Sequence, residues 1–278
     1  MPNPFNDPII SEFRANNGRV GGPFEGSRLL LLTTTGARSG APHTTPVGCL
    51  PDGDRVLVIA SAGGADRHPA WFHNLVAHPE VTVEDGVFTY RARADVLTGD
   101  ERDRLFARAV EADPGWAEYQ AGTDRVIPVI ALTQVDGGPP PGPLGDGLVA
   151  LHGAFRRELA LIRAEVARSG AAVGAQLRVN CLTLCEGLGV HHRHEDGGLF
   201  LFLEQHHPDL APALARMRDE HAAMTALLDE LRALLSQPSP DPSALAAEVD
   251  RLTAQVEAHL DYEESELVPI LNAVPTPG

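Results

Sequence analysis

The stretch Leu188-Gly-Val-His-His-Arg-His-Glu195 decides the fold of the C-terminal half of this chain of 278 residues. Its His191 and Glu195 continue an apolar stripe that runs through Leu184 and Leu188 in steps of three or four residues, which is the period of a buried helix face. An imidazole or a carboxylate on that face is costly to bury without a partner. We therefore expect these two side chains to pair with one another or to bind a metal ion.

The same period recurs in three further segments of this half. Each segment carries histidine or glutamate where the period calls for an apolar residue. The segments are 148–166 with His152, 214–235 with His221, and 245–263 with His259 and Glu263. Four amphipathic stripes predict an all-α four-helix bundle, and the polar side chains fall in register with its core.

These polar side chains form a donor set that is typical of metal sites. Imidazoles and carboxylates without a thiolate suit iron, manganese or zinc, and there are too many of them for one tetrahedral zinc ion. They suit two ions bridged by carboxylates, which lie ~3.5–4 Å apart in such centres. The predicted ligands are His152, His191, Glu195, His221, His259 and Glu263. The alternative is a structural bundle without metal.

The other histidines of this half are predicted to lie outside the ligand set. We place His192 off the stripe, and His206 and His207 close a helix, so we expect all three at the surface. His194 borders the stripe, where it could support a ligand from a second layer.

Charge and cysteine content limit the partners and the compartment. A formal net charge of −16 argues against nucleic acid or an anionic membrane as the main partner. The N-terminus lacks the basic start and apolar run of a signal peptide, and no apolar run is long enough to span a membrane. The cysteines have no disulfide-framework spacing, so we expect a reducing cytoplasm, with Cys181 and Cys185 as small core residues.

A segment rich in proline and glycine, Asp136–Gly147, separates two halves of different pattern. The predicted domains are residues 1–136 and 148–273, joined by a linker at 137–147. The first half contains short strand-like runs and hairpin turns at Pro51–Asp54 and Asp85–Gly86. Such hairpins with few helices predict a small antiparallel β-barrel and not a parallel doubly wound sheet.

The helical half resembles the hemerythrin-like (HHE cation-binding) family from about Leu148 to Leu271. The resemblance rests on the segments Leu151-His152, His191–Asp196, Glu220-His221 and His259–Glu264. It implies a non-haem di-iron centre with Glu195 and Glu263 as candidate bridges.

One position departs from that resemblance. Oxygen-carrying hemerythrins have a second histidine one turn after the first on the third helix, and this chain has Thr225 there. The departure indicates a more open coordination sphere at one iron. It favours reaction with, or sensing of, oxygen, peroxide or nitric oxide over reversible oxygen carriage.

The first half contains a glycine-flanked loop, Gly36–Gly40, at the end of a strand-like run. Its arginine, serine and backbone N–H groups could bind an anion such as phosphate. Together with the segments His68–Leu75 and Thr123–Val129, this loop resembles the deazaflavin-dependent nitroreductase and quinone reductase family, from about Asn6 to Val135. The resemblance implies a split β-barrel, of the kind that also binds FMN, and bound coenzyme F(420); FMN remains an alternative cofactor.

The resemblance also implies the cofactor contacts. Arg38, Ser39 and His43 would meet the anionic tail; Thr45, Pro46, Ser61, Gly63 and Gly64 would line the phosphate and ring; Trp71 and Asn74 would lie beneath. Tyr119 is either a proton donor or ring contact near the substrate, or a side chain packed against Trp116.

The leading hypothesis is a two-domain oxidoreductase. Its barrel would use reduced deazaflavin to reduce a quinone-like or nitroaromatic small molecule, and its bundle would hold two irons. The alternative is a sensor or scavenger of oxygen, nitric oxide or peroxide, in which the barrel only binds a cofactor.

Overall fold

The computed structural model describes residues 5–138, 142–169 and 173–274. The chain divides into two compact units: an N-terminal unit of residues 1–140 together with 174–179, and a C-terminal unit of residues 141–173 together with 180–278. Within the described ranges, no helix combines the length and apolar character needed to cross a membrane.

Six antiparallel strands close a barrel in the N-terminal unit, which confirms the prediction from the hairpin pattern. The strands are β1 Leu29–Thr35, β2 Pro42–Asp52, β3 Arg55–Ile59, β4 Glu80–Glu84, β5 Thr89–Val96 and β6 Val129–Gly138. Their order around the barrel is β1-β2-β3-β6-β5-β4. The pairing of β1 with β4, which sets Leu32 opposite Val83, closes the barrel.

Side-chain alternation along β1 gives the barrel both an inner and an outer apolar layer. Leu30 and Leu32 lie in the barrel core, whereas the intervening Leu31 packs with Ile9 and Phe13. These last two residues belong to α1, Asn6–Ala15. The other helices of this unit are α2 Ala70–Ala77, α3 Gly99–Ala112 and α4 Gly115–Ala121.

The C-terminal unit is helical throughout its regular structure, as the stripes predict. Its helices are α5 Leu144–Arg168, α6 Ala175–His194, α7 Phe200–His206, α8 Ala211–Leu235 and α9 Pro242–Ala273. A π-helical turn, Glu195–Leu199, connects α6 to α7, so the two form one continuous helical segment. Helix α9 begins where Asp241 accepts a hydrogen bond from the Ser243 N–H and proline occupies the first helical position.

The apolar stripes face inward as predicted. Leu159, Ile162 and Val166 of α5 are buried, and so are the corresponding leucines, valines and methionines of α8 and α9. Cys181 and Cys185 of α6 are fully buried, which confirms that they are core residues. The apolar positions that form the core are therefore those of the helical period, in which the predicted metal ligands are the polar members.

Candidate functional site

All six predicted metal ligands are buried in the helical unit, where none of them exposes more than 8% of its surface. Helices α5, α6 and α8 each contribute one histidine, α9 contributes His259 and Glu263, and Glu195 lies at the start of the π-turn. The buried side chains form two groups, and within each group all the ligand atoms lie within 4.8 Å of one another. One is His152, His191, Glu195 and Glu263; the other is His192, His221 and His259. That these groups bind metal stays a prediction.

Three of the histidines are oriented by carboxylates through Nδ1. The Nδ1 atoms of His152, His221 and His259 lie 2.9, 3.0 and 2.8 Å from carboxylate oxygens of Glu264, Asp196 and Glu220 respectively. An ionised carboxylate only accepts hydrogen bonds, so each Nδ1 carries the proton and donates it. The Nε2 atom of each neutral ring is then left with a lone pair, as in metal-ligating histidines.

Two of these Nε2 atoms face each other. His221 Nε2 lies 3.0 Å from His259 Nε2. Burial lowers the pKa of both rings, that of His221 to about 3, so a second proton on either ring is disfavoured at neutral pH. Two lone pairs this close repel, and a cation that accepts both would remove the repulsion. The donor set therefore fits a metal ion.

The two carboxylates lie between the two groups of histidines. Glu195 is 3.1 Å from His191 Nε2 and 3.5 Å from His221 Nε2. Glu263 is 3.5 Å from His152 Nε2 and 3.6 Å from His259 Nε2. Each carboxylate thus joins a histidine of one group to a histidine of the other, which is the position of a bridging ligand.

The carboxyl groups of Glu195 and Glu263 lie side by side, and no donor from another described residue compensates for their burial. Neither oxygen of Glu195 or of Glu263 has a hydrogen-bond partner within the described part of the chain. Burial, with a contribution from neighbouring acidic groups, raises the pKa of both carboxyl groups. Two adjacent carboxylates in this environment are costly as free anions and favourable as ligands of cations.

Arginine side chains hold two of the orienting carboxylates in turn. Arg156 Nη1 donates to Glu264 at 2.6 Å, and Arg216 Nε donates to Glu220 at 2.7 Å. The chain from arginine through carboxylate to histidine restricts the imidazole ring on both α5 and α9. Preorientation of this kind is what fixes ligand geometry in metal sites.

The surface position predicted for His192 is wrong. Only 3% of its surface is exposed, and its ring stacks on that of His221 with centroids 4.2 Å apart. His192 follows Leu188 by four residues and precedes Glu195 by three, so on a helix it shares their buried face. That relation is the sequence signal that could have found it.

The second-layer role suggested for His194 is not supported, because its side chain is exposed. Glu264, Asp196 and Glu220 occupy that layer, and the sequence pattern did not single them out. His206 is exposed, as predicted.

In the barrel unit, Asn74 of α2 fixes the loop Gly36–Gly40. Its Nδ2 donates to Thr34 Oγ1 at 3.0 Å, and its Oδ1 accepts from the Ala37 N–H at 3.0 Å. The buried amide therefore supports the loop that would meet the anionic tail. Trp71, one turn earlier, is 7% exposed and packs in the barrel core.

Ser39 and His43, both predicted cofactor contacts, lie together at this loop. Ser39 Oγ is 3.4 Å from His43 Nε2. A Cβ atom at Gly36 would lie 2.4 Å from Ser39 Oγ and 2.9 Å from His43 Nε2, so a larger residue there would displace these two side chains. The remaining predicted contacts of this edge are exposed or half-buried: Arg38, Thr45 and Pro46.

A second loop follows β3 and contains the other predicted contacts, Ser61, Gly63 and Gly64. Ala62, Gly63 and Gly64 have φ values of +49°, +63° and +79°, all in the left-handed region. A Cβ at Gly64 would lie 2.9 Å from the backbone oxygen of Tyr119. The structure thus brings Gly64 and Tyr119 together. The Tyr119 ring packs edge-on against Trp116 and is still 41% exposed.

Arg125 holds this second loop, and the sequence analysis did not identify it individually. Its guanidinium donates to the carbonyl oxygens of Ala65 at 2.8 Å, Ala60 at 3.2 Å, and Ser61. It also contacts His68 Nδ1 at 3.1 Å. Burial lowers the pKa of Arg125, so a cation is held against the backbone of the loop at some cost in hydration.

Comparison with known proteins gives a family to each unit. Residues 9–134 match the family model for F420H(2)-dependent quinone reductase. Residues 145–271 match the family model for the hemerythrin HHE cation binding domain.

Relatives of the barrel unit are found among named and solved proteins. An F420H(2)-dependent quinone reductase of Mycobacterium tuberculosis (strain ATCC 25618 / H37Rv) is 38% identical over 126 residues, which is 44% of this chain and 85% of that protein. A solved structure of an F420-H2 dependent reductase is 40% identical; the alignment covers 38% of this chain and 93% of that one, with a TM-score of 0.36. A solved structure described as a domain-swapped dimer is 37% identical, with coverages of 45% and 92% and a TM-score of 0.37.

Proposed function

The chain belongs to the F420H(2)-dependent quinone reductase family through its N-terminal half, and we propose that it reduces a quinone or nitroaromatic acceptor with reduced coenzyme F(420). When bound, the cofactor supplies a hydride. The hydride and a proton convert a quinone to its hydroquinone and leave the cofactor oxidised. The protein contributes binding, orientation and the proton.

In this proposal the two fixed loops of the barrel form the cofactor site. Arg38, Ser39 and His43 bind the anionic tail, and the loop at Ser61–Gly64 lines the phosphate and ring. The support for this is that Asn74 and Arg125 hold the two loops through buried or multiple hydrogen bonds. Loops held in this way lose little freedom on binding, which favours affinity. Tyr119, in contact with Gly64, holds a proton at its hydroxyl for the acceptor.

We also propose that the helical unit, an HHE cation binding domain, holds two iron ions. His152 and His191 would hold one position, His221 and His259 would hold the other, and Glu195 and Glu263 would serve both. The single observation that supports a two-ion centre is that each buried carboxylate lies between a histidine of each group. Bound iron would supply redox and Lewis-acid chemistry for oxygen, peroxide or nitric oxide.

Three finer points belong to the same proposal. The domains are proposed as predicted, at residues 1–136 and 148–273, although β6 ends at Gly138 and α5 begins at Leu144, so that both elements extend into the predicted linker. A cytoplasmic location and a small-molecule electron acceptor are likewise proposed. The rival function is a sensor or scavenger that uses the barrel only to bind its cofactor.

Turnover without oxygen tests the proposal. The full chain, loaded with ferrous iron, is mixed with reduced F(420) and either menadione or a nitroaromatic, and oxidation of the cofactor is followed by absorbance. We expect turnover, and we expect Tyr119→Phe to slow it while cofactor affinity is retained. Stoichiometric iron binding without turnover of either acceptor would reject the reductase and leave the sensor or scavenger.

A further inference from the structure

Thr225 lies one helical turn after His221 on α8, at the position where the resemblance to oxygen-carrying hemerythrins places a histidine. Its hydroxyl donates to the backbone oxygen of His221 at 2.9 Å. The side chain is thus engaged with its own helix and contributes no nitrogen to the centre. Helix α8 therefore supplies one imidazole, His221, where two would be expected.

His192 on α6 is a buried imidazole that the function derived so far does not use. Its exposed fraction is 3%, and neither ring nitrogen has a hydrogen-bond partner among the residues that the structure describes. A neutral imidazole has one donor and one acceptor nitrogen, and leaving both unpaired in the interior is unfavourable because neither regains the hydrogen bond it made with water. Such an orphaned side chain calls for a missing partner.

His192 lies beside two of the predicted metal ligands. The ligand atoms of His192, His221 and His259 all lie within 4.8 Å of one another. The His192 ring is stacked on His221 and edge-on to His259, with centroids 4.2 and 5.7 Å away. Three helices therefore bring one imidazole each to the same small region of the core, with ligand atoms close enough to share an ion.

We propose that His192 is the third nitrogen ligand of the metal position formed by His221 and His259, and that it replaces the ligand missing at Thr225. The inference rests on the two-metal centre proposed above. One ion then has three histidines and the other has His152 and His191, with both carboxylates shared. The coordination sphere beside Thr225 is accordingly less open than the sequence departure alone indicates.

The arrangement also follows from the backbone of α6. His191 and His192 are neighbours in sequence and belong to different ligand groups, and Glu195 lies one turn later between the groups. The π-turn begins at Glu195 and contains Gly197 and Gly198. Turns of this kind widen the helix and are frequent at functional sites. The single stretch from His191 to Glu195 would thus supply ligands to both metal positions.

The test compares four forms of the full chain: unsubstituted, His192→Ala, His194→Ala and His192→Ala/Thr225→His. Each is loaded with ferrous iron without oxygen, and iron per chain is measured by elemental analysis after dialysis at a series of free-iron concentrations. Mössbauer spectra and helical circular dichroism are recorded on the same samples. His194 is the matched control because it is two residues away and exposed.

We expect two irons in the unsubstituted protein and in His194→Ala. His192→Ala should bind one of them more than about 100-fold more weakly, which is beyond the 10–100-fold effect of losing an outer-shell group. Introducing Thr225→His should restore the second iron. If His192→Ala binds two irons with unchanged affinity and an unchanged spectrum, the role of His192 is overturned and the metal centre stands. The same follows if His192→Ala loses iron at unchanged helicity and Thr225→His does not restore it. No iron in the unsubstituted protein would overturn the metal centre itself.

Discussion

The Nε2 atoms of His221 and His259 lie 3.0 Å apart in the core of the helical unit. Because both rings donate their Nδ1 protons to carboxylates, the facing nitrogens carry lone pairs. A cation relieves this repulsion and neutralises the buried pair Glu195 and Glu263. We therefore expect the metal-free protein to unfold at a lower temperature than the iron-loaded protein.

Thermal unfolding followed by helical circular dichroism measures this difference. A ligand at a free concentration of about 1,000 times its Kd stabilises the folded state by about 4 kcal/mol. The exposed variant His206→Ala should show the full metal-dependent shift, whereas His221→Ala should lose most of it. Equal unfolding temperatures with and without iron would contradict this account of the core.

Glu264 and Asp250 form a matched pair for testing the orientation of His152. Both lie on α9 and bind an arginine of α5, Arg156 and Arg163 respectively. Only Glu264 also binds a histidine, through His152 Nδ1 at 2.9 Å. We expect Glu264→Ala to weaken iron binding about 10–100-fold, as is typical of second-layer groups, and Asp250→Ala to leave it unchanged.

Competition with a chromogenic chelator gives the two affinities. An equal loss in both variants would mean that the ion pairs between α5 and α9 act on bundle stability and not on the ligand. Unchanged affinity in Glu264→Ala would mean that His152 needs no orienting partner.

The sequence predicts the bundle well because the residues buried on one face of a helix recur along the chain with the helical period. Leu184, Leu188 and His191 belong to one stripe, and a polar residue in such a stripe can be recognised from the sequence alone. The burial of His192 was not predicted because a buried helix face is wider than one stripe of positions. Its spacing from Leu188 and Glu195 places it on the same buried face, beside the stripe that contains His191.

Groups that act through tertiary contacts are harder to predict. The histidine that Glu264 orients is 112 positions away, and Arg125 reaches a loop about 60 residues earlier. No local period connects such residues, because their proximity depends on how the helices and strands pack. The barrel contacts were found by family resemblance, which pointed to segments and not to the hydrogen bonds that hold them.

Arg125 offers a test of how the second barrel loop is held. Its guanidinium donates to three backbone oxygens, whereas the ammonium of lysine cannot reproduce that fork. Losing two hydrogen bonds of about 1 kcal/mol each should weaken F(420) binding by about 10-fold or more in Arg125→Lys. Fluorescence titration of the cofactor measures this.

The control for Arg125 is Arg67→Lys, which alters an exposed arginine beside the same loop. It should bind the cofactor as the unsubstituted protein does. Equal affinity in Arg125→Lys would show that the loop keeps its shape without the guanidinium. An equal loss of cofactor affinity in both variants would mean that any arginine near this loop is sensitive to replacement by lysine, and not Arg125 in particular.

Gly63 and Gly64 separate backbone strain from steric contact in the same loop. Both have positive φ, so alanine at either position is strained by about 1–2 kcal/mol. Around Gly63 a Cβ meets no described atom within 4 Å, whereas at Gly64 it would lie 2.9 Å from the Tyr119 backbone oxygen. We therefore expect Gly64→Ala to destabilise the barrel unit more than Gly63→Ala does, as measured by urea unfolding followed by tryptophan fluorescence.

Because the added methyl pushes on α4, Gly64→Ala should also slow acceptor reduction through Tyr119. Equal unfolding free energies in the two variants would show that α4 yields to the methyl group, and Tyr119 would then be free to move relative to the loop.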